Sequence, residues 1–229
     1  MKYIRRANER GRVDLGWLQS NHSFSFGHYY DPKHMGVSEL RVINEDRVAG
    51  GTGFDTHGHR DMEIISVVLS GALKHKDSRG NEFVVKAGDV QRMSAGSGIM
   101  HSEYNASQSE EAHFLQIWIQ PKFRGITPSY EQMTIAQTGA LTPLVTPNGK
   151  GDTLSINQDA TLSRVVLEQG QQLDIGVASG TGYFHIISGS VYTEQGDFQS
   201  GDAFATDAEE RVTLHATDHL VALWFELPS

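Results

Sequence analysis

Ile65-Ser66-Val67-Val68-Leu69-Ser70-Gly71-Ala72-Leu73, followed by Ala87-Gly88-Asp89-Val90, has a counterpart in the second half of the chain. There His185-Ile186-Ile187-Ser188-Gly189-Ser190-Val191 is followed by Ser200-Gly201-Asp202-Ala203. In both places an apolar run meets a glycine that can open a hairpin, and a Gly-Asp turn then precedes the next run. Such self-similarity predicts a duplicated β-barrel. Short β-type runs bounded by Gly, Asp, Asn and Ser extend the pattern at Leu40–Ile43, Ile64–Leu69, Phe83–Val85, His113–Ile119, Leu162–Leu167, Phe184–Ile187, Arg211–Leu214 and Leu220–Phe225. Their density predicts an all-β protein built of barrels or sandwiches rather than βαβ units. Few segments look helical, and the best candidate, around Pro128–Gln132, is short.

Pro121, Pro128, Pro143 and Pro147, with several glycines, concentrate between Pro121 and Asp152 and mark that region as the natural linker. The expected division is an N-terminal barrel over residues 1–135, a linker over 136–150 and a C-terminal barrel over 151–229.

The two halves differ in histidine. His57-Gly58-His59 and His101-Ser102-Glu103 each sit in a Gly-studded, strand-like context. On a strand, residues i and i+2 project from one face, about 6.6 Å apart. Two imidazoles on one strand, with an imidazole and a carboxylate on a neighbour, can therefore converge on one divalent ion. The corresponding stretch of the second half, Gly176–Gly182, contains no histidine, and none of His185, His215 and His219 has a His or Glu two residues away. One metal-bearing barrel and one barren barrel are expected.

Composition narrows the chemistry. The 229 residues contain no cysteine, so disulfides, thiolate metal sites and cysteine nucleophiles are excluded, and any metal must be held by His and carboxylate. Nineteen Lys plus Arg against 28 Asp plus Glu give a formal charge of −9, which disfavours direct contact with nucleic acid or anionic membranes. Neither a signal-like apolar run in the first thirty residues nor a span of about 18 apolar residues is present, and a soluble cytoplasmic protein is the default expectation.

Gly51-Thr52-Gly53-Phe54-Asp55-Thr56-His57-Gly58-His59-Arg60-Asp61-Met62-Glu63 resembles the first motif of the cupins. The stretch from Gly88 to Asn105, ending Met100-His101-Ser102-Glu103-Tyr104-Asn105, resembles the second motif as it occurs in pirins, a bicupin family. Phe24-Ser25-Phe26, Tyr29-Tyr30-Asp31-Pro32, Arg41-Val42-Ile43-Asn44 and Gln116-Ile117-Trp118-Ile119 with Gly125-Ile126-Thr127-Pro128 are also similar to bacterial pirins. The similarity is strong over most of the first 135 residues and weak beyond. It implies two tandem double-stranded β-helix (jelly-roll) barrels and a metal held by His57, His59, His101 and Glu103. It also implies either a quercetin 2,3-dioxygenase, as some bacterial members are, or an iron-dependent regulator acting through a protein partner without turnover. Gly58 departs from the family, in which many members carry Pro at that position.

Three imidazoles and one carboxylate suit Fe, which is the expected ion, and equally Zn, Ni, Cu, Mn or Co. The expected partners are a flavonoid-like small molecule and O₂; a monomer and a protein partner both stay open. Glu103 is the candidate catalytic residue, as ligand and proton acceptor in turn. A third option, an isomerase or dioxygenase of another small metabolite, stays open. Glu63 shares strand parity with His57 and His59 and is read as a hydrogen-bonding residue beside the site. His113 is read as a satisfied core histidine, and His22, His28, His34 and His75 as surface positions. Trp17, Phe24, Phe26, Tyr29 and Tyr30 are read as packing a barrel end. Alternation turns Ser102 away from His101 and Glu103, which argues against a hydrolytic triad.

Overall fold

A computed structural model describes all 229 residues. Seven of the eight β-type runs lie wholly in strands and the eighth, Arg211–Leu214, enters its strand at Val212; the strands are Leu40–Val48, Glu63–Ser70, Glu82–Lys86, Ala112–Ile119, Thr161–Leu167, Thr181–Ser188, Val212–Ala216 and Leu220–Leu227. The repeated glycines explain themselves. Gly71 and Gly189 turn their hairpins at φ 71° and 85°, and Gly88 and Gly201 turn at 90° and 84°, a left-handed region that residues with a Cβ rarely adopt. A Cβ on Gly189 would also lie 2.1 Å from the His219 carbonyl oxygen.

The chain forms two compact units, one of residues 11–135 with 148–158, the other of residues 1–10, 136–147 and 159–229. Relative to the sequence division, residues 1–10 fall in the other unit and residues 148–158 in the first. Tyr3–Arg5 pairs antiparallel with Ala203–Thr206, so the chain start supplies a strand to the C-terminal unit, where it covers an open sheet edge. The stretch read as a linker carries a strand, Leu141–Thr146, paired with Thr161–Leu167. Pro143 is accommodated there because the register shifts between Pro143 and Val145. Residues 148–158 are tied to the N-terminal unit: the buried Arg92 guanidinium donates to the Ser155 carbonyl at 2.7 Å, and Lys122 N donates to Asn157 O at 2.7 Å.

The helical expectation is corrected. The only helical element is the 3₁₀ turn Ala7–Glu9, and the Pro128–Gln132 region forms the strand Ser129–Thr134, paired with Asp89–Ser94. Tyr130 and Gln132 alternate toward the barrel there, and a pairing edge outweighs five residues of weak helical preference. No helix is long and apolar enough to cross a membrane.

In the N-terminal unit a seven-stranded sheet runs in the order Ser129–Thr134, Asp89–Ser94, Glu63–Ser70, Ala112–Ile119, Leu40–Val48, Leu18–His22, Gly11–Asp14. A four-stranded sheet runs Gly53–His59, Ile99–Asn105, Ala72–Asp77, Glu82–Lys86. The C-terminal unit repeats the design with a four-stranded sheet, Gln172–Ile175, Val212–Ala216, Ser190–Thr193, Gly196–Gln199. Its interior is filled by a buried cluster that includes Ile186, Phe184, Phe198, Phe204, Leu214 and Trp224. No group of three metal-ligating side chains forms in that unit, and its room is taken by aromatic rings.

Candidate metal centre

His57 and His101 stand directly opposite each other in the antiparallel pair of Gly53–His59 with Ile99–Asn105. Directly opposed residues are the closest cross-strand neighbours, and His59, two residues on, shares the face. Between His101 and Glu103 the register slips, so that Glu103 pairs with Phe54; the extra residue bulges the Gly53–His59 strand at Asp55–Thr56. The bulge presents the Asp55 carbonyl to the His57 ring, whose Nδ1–H donates to it at 2.6 Å. A carbonyl can only accept, so in the neutral ring the lone pair of His57 is left on Nε2.

That lone pair points into a three-imidazole cluster. His101 Nε2 lies 3.0 Å from His57 Nε2 and 3.0 Å from His59 Nε2, and the ring centroids are 4.5–4.8 Å apart. Three ring nitrogens cannot each satisfy the others, because a pair of lone pairs needs a proton or a cation between them. Two nitrogens bound at about 2.1 Å to one ion and at right angles to it stand about 3.0 Å apart, so the donor set fits a shared divalent ion. Protonation states agree. Burial first, then the nearby His101 and His57, lower His59 to about 4; burial, then His57 and His75, lower His101 to about 3. Both rings are neutral near pH 7, as ligation requires.

Glu103 is buried beside this cluster and accepts a hydrogen bond at each oxygen, from Gln91 Nε2 and Gln116 Nε2, both at 2.7 Å. The amides are themselves oriented. Trp118 Nε1, which can only donate, points to Gln116 Oε1 at 3.2 Å, and the Tyr130 hydroxyl lies 2.9 Å from Gln91 Oε1. Glu103 groups with His101 and His75, while His57, His59 and His101 form the other cluster of ligating atoms; His101 belongs to both. Of the four predicted residues, the three histidines thus form one group, and Glu103 joins His101 in a second that holds neither His57 nor His59.

Two residues that the sequence reading placed at the surface, His75 and His22, belong here. His75 is fully buried, not at the surface: Ala72–Asp77 alternates, turning Leu73, His75 and Asp77 inward. Its Nε2 lies 3.0 Å from Asp77 Oδ2, and its Nδ1 and that of His101 have no hydrogen-bond partner in the protein. His22 is likewise buried, with its ring edge-on to Phe26 at 5.3 Å. Phe26 packs edge-on against Trp118 at 5.2 Å, so this aromatic lines the site. The parity of Leu73-Lys74-His75-Lys76-Asp77 was the signal for His75. Glu63 is buried away from the clusters, accepting from Ser94 Oγ at 2.7 Å and Asn157 N at 3.2 Å. His113 is half-buried with Nε2 3.0 Å from Glu45 Oε1, whereas His28 is exposed and His34 half-buried.

A cavity of about 310 Å³ opens onto the imidazoles, walled by Val13, Leu18, Phe26, Phe54 and Trp118 and reaching Glu103 and Gln116.

Two family models match the chain, Pirin over residues 3–119 and the quercetinase C-terminal cupin domain over residues 143–227. The chain belongs to the pirin family. Its fold is accordingly two tandem cupin barrels. Among relatives, quercetin 2,3-dioxygenase of Escherichia coli (strain K12) is 42% identical over 229 residues, 100% of this chain and 99% of that protein. The crystal structure of the bacterial pirin YhhW from Escherichia coli, in complex with nickel(II), matches with a TM-score of 0.94 at 43% identity, covering 99% of this chain and 98% of that one. A quercetin 2,3-dioxygenase from Acinetobacter baumannii matches with a TM-score of 0.79 at 19% identity, over 97% of this chain and 84% of that one, which speaks for the fold alone.

Proposed function

We propose that this chain is a metal-dependent dioxygenase that opens the heterocyclic ring of flavonols such as quercetin, consuming O₂ and releasing CO. His57, His59, His101 and Glu103 would hold one divalent transition ion, iron first among the candidates. The observation that carries the reading is the convergence of three imidazoles, with His101 Nε2 3.0 Å from the Nε2 of both His57 and His59, at the end of a largely apolar cavity. The Escherichia coli relatives, one named for the reaction and one containing nickel(II), support it.

A bound ion supplies Lewis acidity toward an enolic oxygen and a redox partner for O₂. The remaining work falls to the chain. Phe26, Phe54 and Trp118 form apolar walls that hold a planar substrate and exclude water. Glu103 has lone pairs left at both oxygens after accepting from Gln91 and Gln116, and takes the proton of the substrate's enolic hydroxyl. The two amides fix where that carboxylate stands, so its position does not depend on the substrate.

Purified protein reconstituted separately with Fe(II), Ni(II), Co(II) and Mn(II) is assayed aerobically with quercetin for CO release and loss of the flavonol spectrum. CO with ring opening is expected for at least one ion. No CO with any ion and several flavonols would overturn the reading and leave a metal-dependent binding protein. Glu103→Gln is expected to lower turnover more than metal content; equal losses would remove the proton-acceptor role.

A further inference from the structure

Besides Gln116, four polar side chains, Ser20, His22, Asn44 and Asp46, face the cavity from the seven-stranded sheet, whereas the imidazoles of His57, His59 and His101 come from the four-stranded one. Ser20 pairs with Asp46 and His22 with Asn44 across Leu18–His22 and Leu40–Val48, so alternation puts all four on one face. All are buried, each exposing 5% or less of its surface. The Ser20 hydroxyl donates to Asp46, but Asn44 Oδ1 and His22 Nδ1 have no hydrogen-bond partner in the protein. Polar atoms buried without partners are uncommon and unfavourable. On the wall of a ligand-sized cavity they are positions at which a ligand supplies the missing partner.

We propose that Asn44, Asp46 and His22 form a second binding subsite, which takes the ring hydroxyls of a planar polyhydroxylated aromatic whose enolic oxygen faces His57, His59 and His101. This rests on the dioxygenase reading above and adds to it the substrate's hydroxyl pattern. Asn44 Oδ1 accepts from one hydroxyl, and His22 Nδ1 pairs with another in either tautomer. Burial, partly offset by the Ser20 hydrogen bond, pushes the Asp46 carboxyl up to about 7, so below neutral pH it also offers a donor. The aromatic walls select flatness: Trp118 is packed edge-on by His59 at 4.9 Å and by Phe26 at 5.2 Å, which leaves a rigid slot beside the wall. An unsubstituted flavonol would leave the three polar groups unmatched, a discrimination that hydrogen-bonding sites achieve and apolar ones do not.

The test uses full-length protein loaded with nickel(II), without O₂, and measures the affinities of quercetin and of 3-hydroxyflavone, which keeps the enolic hydroxyl and lacks the ring hydroxyls, by quenching of tryptophan fluorescence. Asn44→Leu and Asp46→Leu are made separately, so that failure of one variant to fold leaves the other. Each is expected to lower the quercetin to 3-hydroxyflavone affinity ratio roughly tenfold relative to the unsubstituted protein, the loss of about one hydrogen bond. A ratio unchanged within twofold in both variants, with both flavonols bound, would overturn the subsite and leave the dioxygenase reading intact. Binding of neither flavonol to the unsubstituted protein would overturn both.

Discussion

Replacing Asp46 by Asn isolates a single buried ionisation. Burial raises the Asp46 carboxyl from its ordinary 3.8 to about 7; the Ser20 hydroxyl bond limits the rise, and the negative charges of Glu103 and Glu45 add to it. Between those two values the folded chain keeps a proton that the unfolded chain has lost. Stability therefore falls as pH rises from 3.8 to about 7, by up to about 1.4 kcal/mol per pH unit, and the loss is complete above that range. Between pH 5 and pH 8 the loss amounts to roughly 3 kcal/mol. The Asp46→Asn variant has no such ionisation. His59 and His101 act with the opposite sign, since their folded values of about 4 and about 3 make stability fall as pH drops below 6.5, but they are present in both proteins and cancel in the difference. Urea unfolding of metal-free protein, followed by tryptophan fluorescence at several values between pH 5 and pH 8, gives the comparison directly. The stability of Asp46→Asn minus that of the unsubstituted protein should widen by roughly 3 kcal/mol across the range, whatever constant offset the amide introduces. A difference flat within about 0.5 kcal/mol would refute the reasoning, because it would mean that Asp46 ionises as it does in water.

Gln116→Leu removes the amide that donates to one Glu103 oxygen and should weaken nickel(II) binding about 10- to 100-fold in a chelator competition, the usual effect of losing a ligand's outer hydrogen bond; unchanged affinity would detach Glu103 from the metal. Gly58→Ala should raise stability by about 0.5–1 kcal/mol in a thermal melt. Gly58 lies in a strand outside the left-handed region, and the one tight contact of a new Cβ is Met100 Sδ at 2.9 Å, near the end of an exposed flexible side chain, the Ile99 carbonyl oxygen lying at an ordinary 3.9 Å. A loss of stability would mean that Met100 cannot move aside.

The strand framework was legible because its signals are local. Gly71 with Gly189, and Gly88 with Gly201, mark the same turns in both halves, and each turn demands a residue without Cβ. His57 and His101 were legible as partners because the spacing of His-x-His and His-x-Glu on strands leaves few other uses for that face. What escaped depends on pairing that no local window holds. Pro128–Gln132 forms a strand because Asp89–Ser94 offers it an edge, and Pro143 sits inside a strand because a register shift makes room for it. Tyr3–Arg5 joins the distant Ala203–Thr206 for the same reason. His75, between Lys74 and Lys76, reads as surface in composition and as core only in parity. The buried polar wall of Ser20, His22, Asn44 and Asp46 exists only once Leu18–His22 and Leu40–Val48 are in register.

The central claim is that one divalent ion is held by the imidazoles of His57, His59 and His101 with Glu103. A crystal structure of nickel(II)-reconstituted protein, with anomalous data at the nickel edge, tests it most directly. The account predicts one strong peak per chain, about 2.1 Å from Nε2 of each histidine and in contact with a Glu103 oxygen. No peak at the cluster, or one held by other side chains, would contradict it.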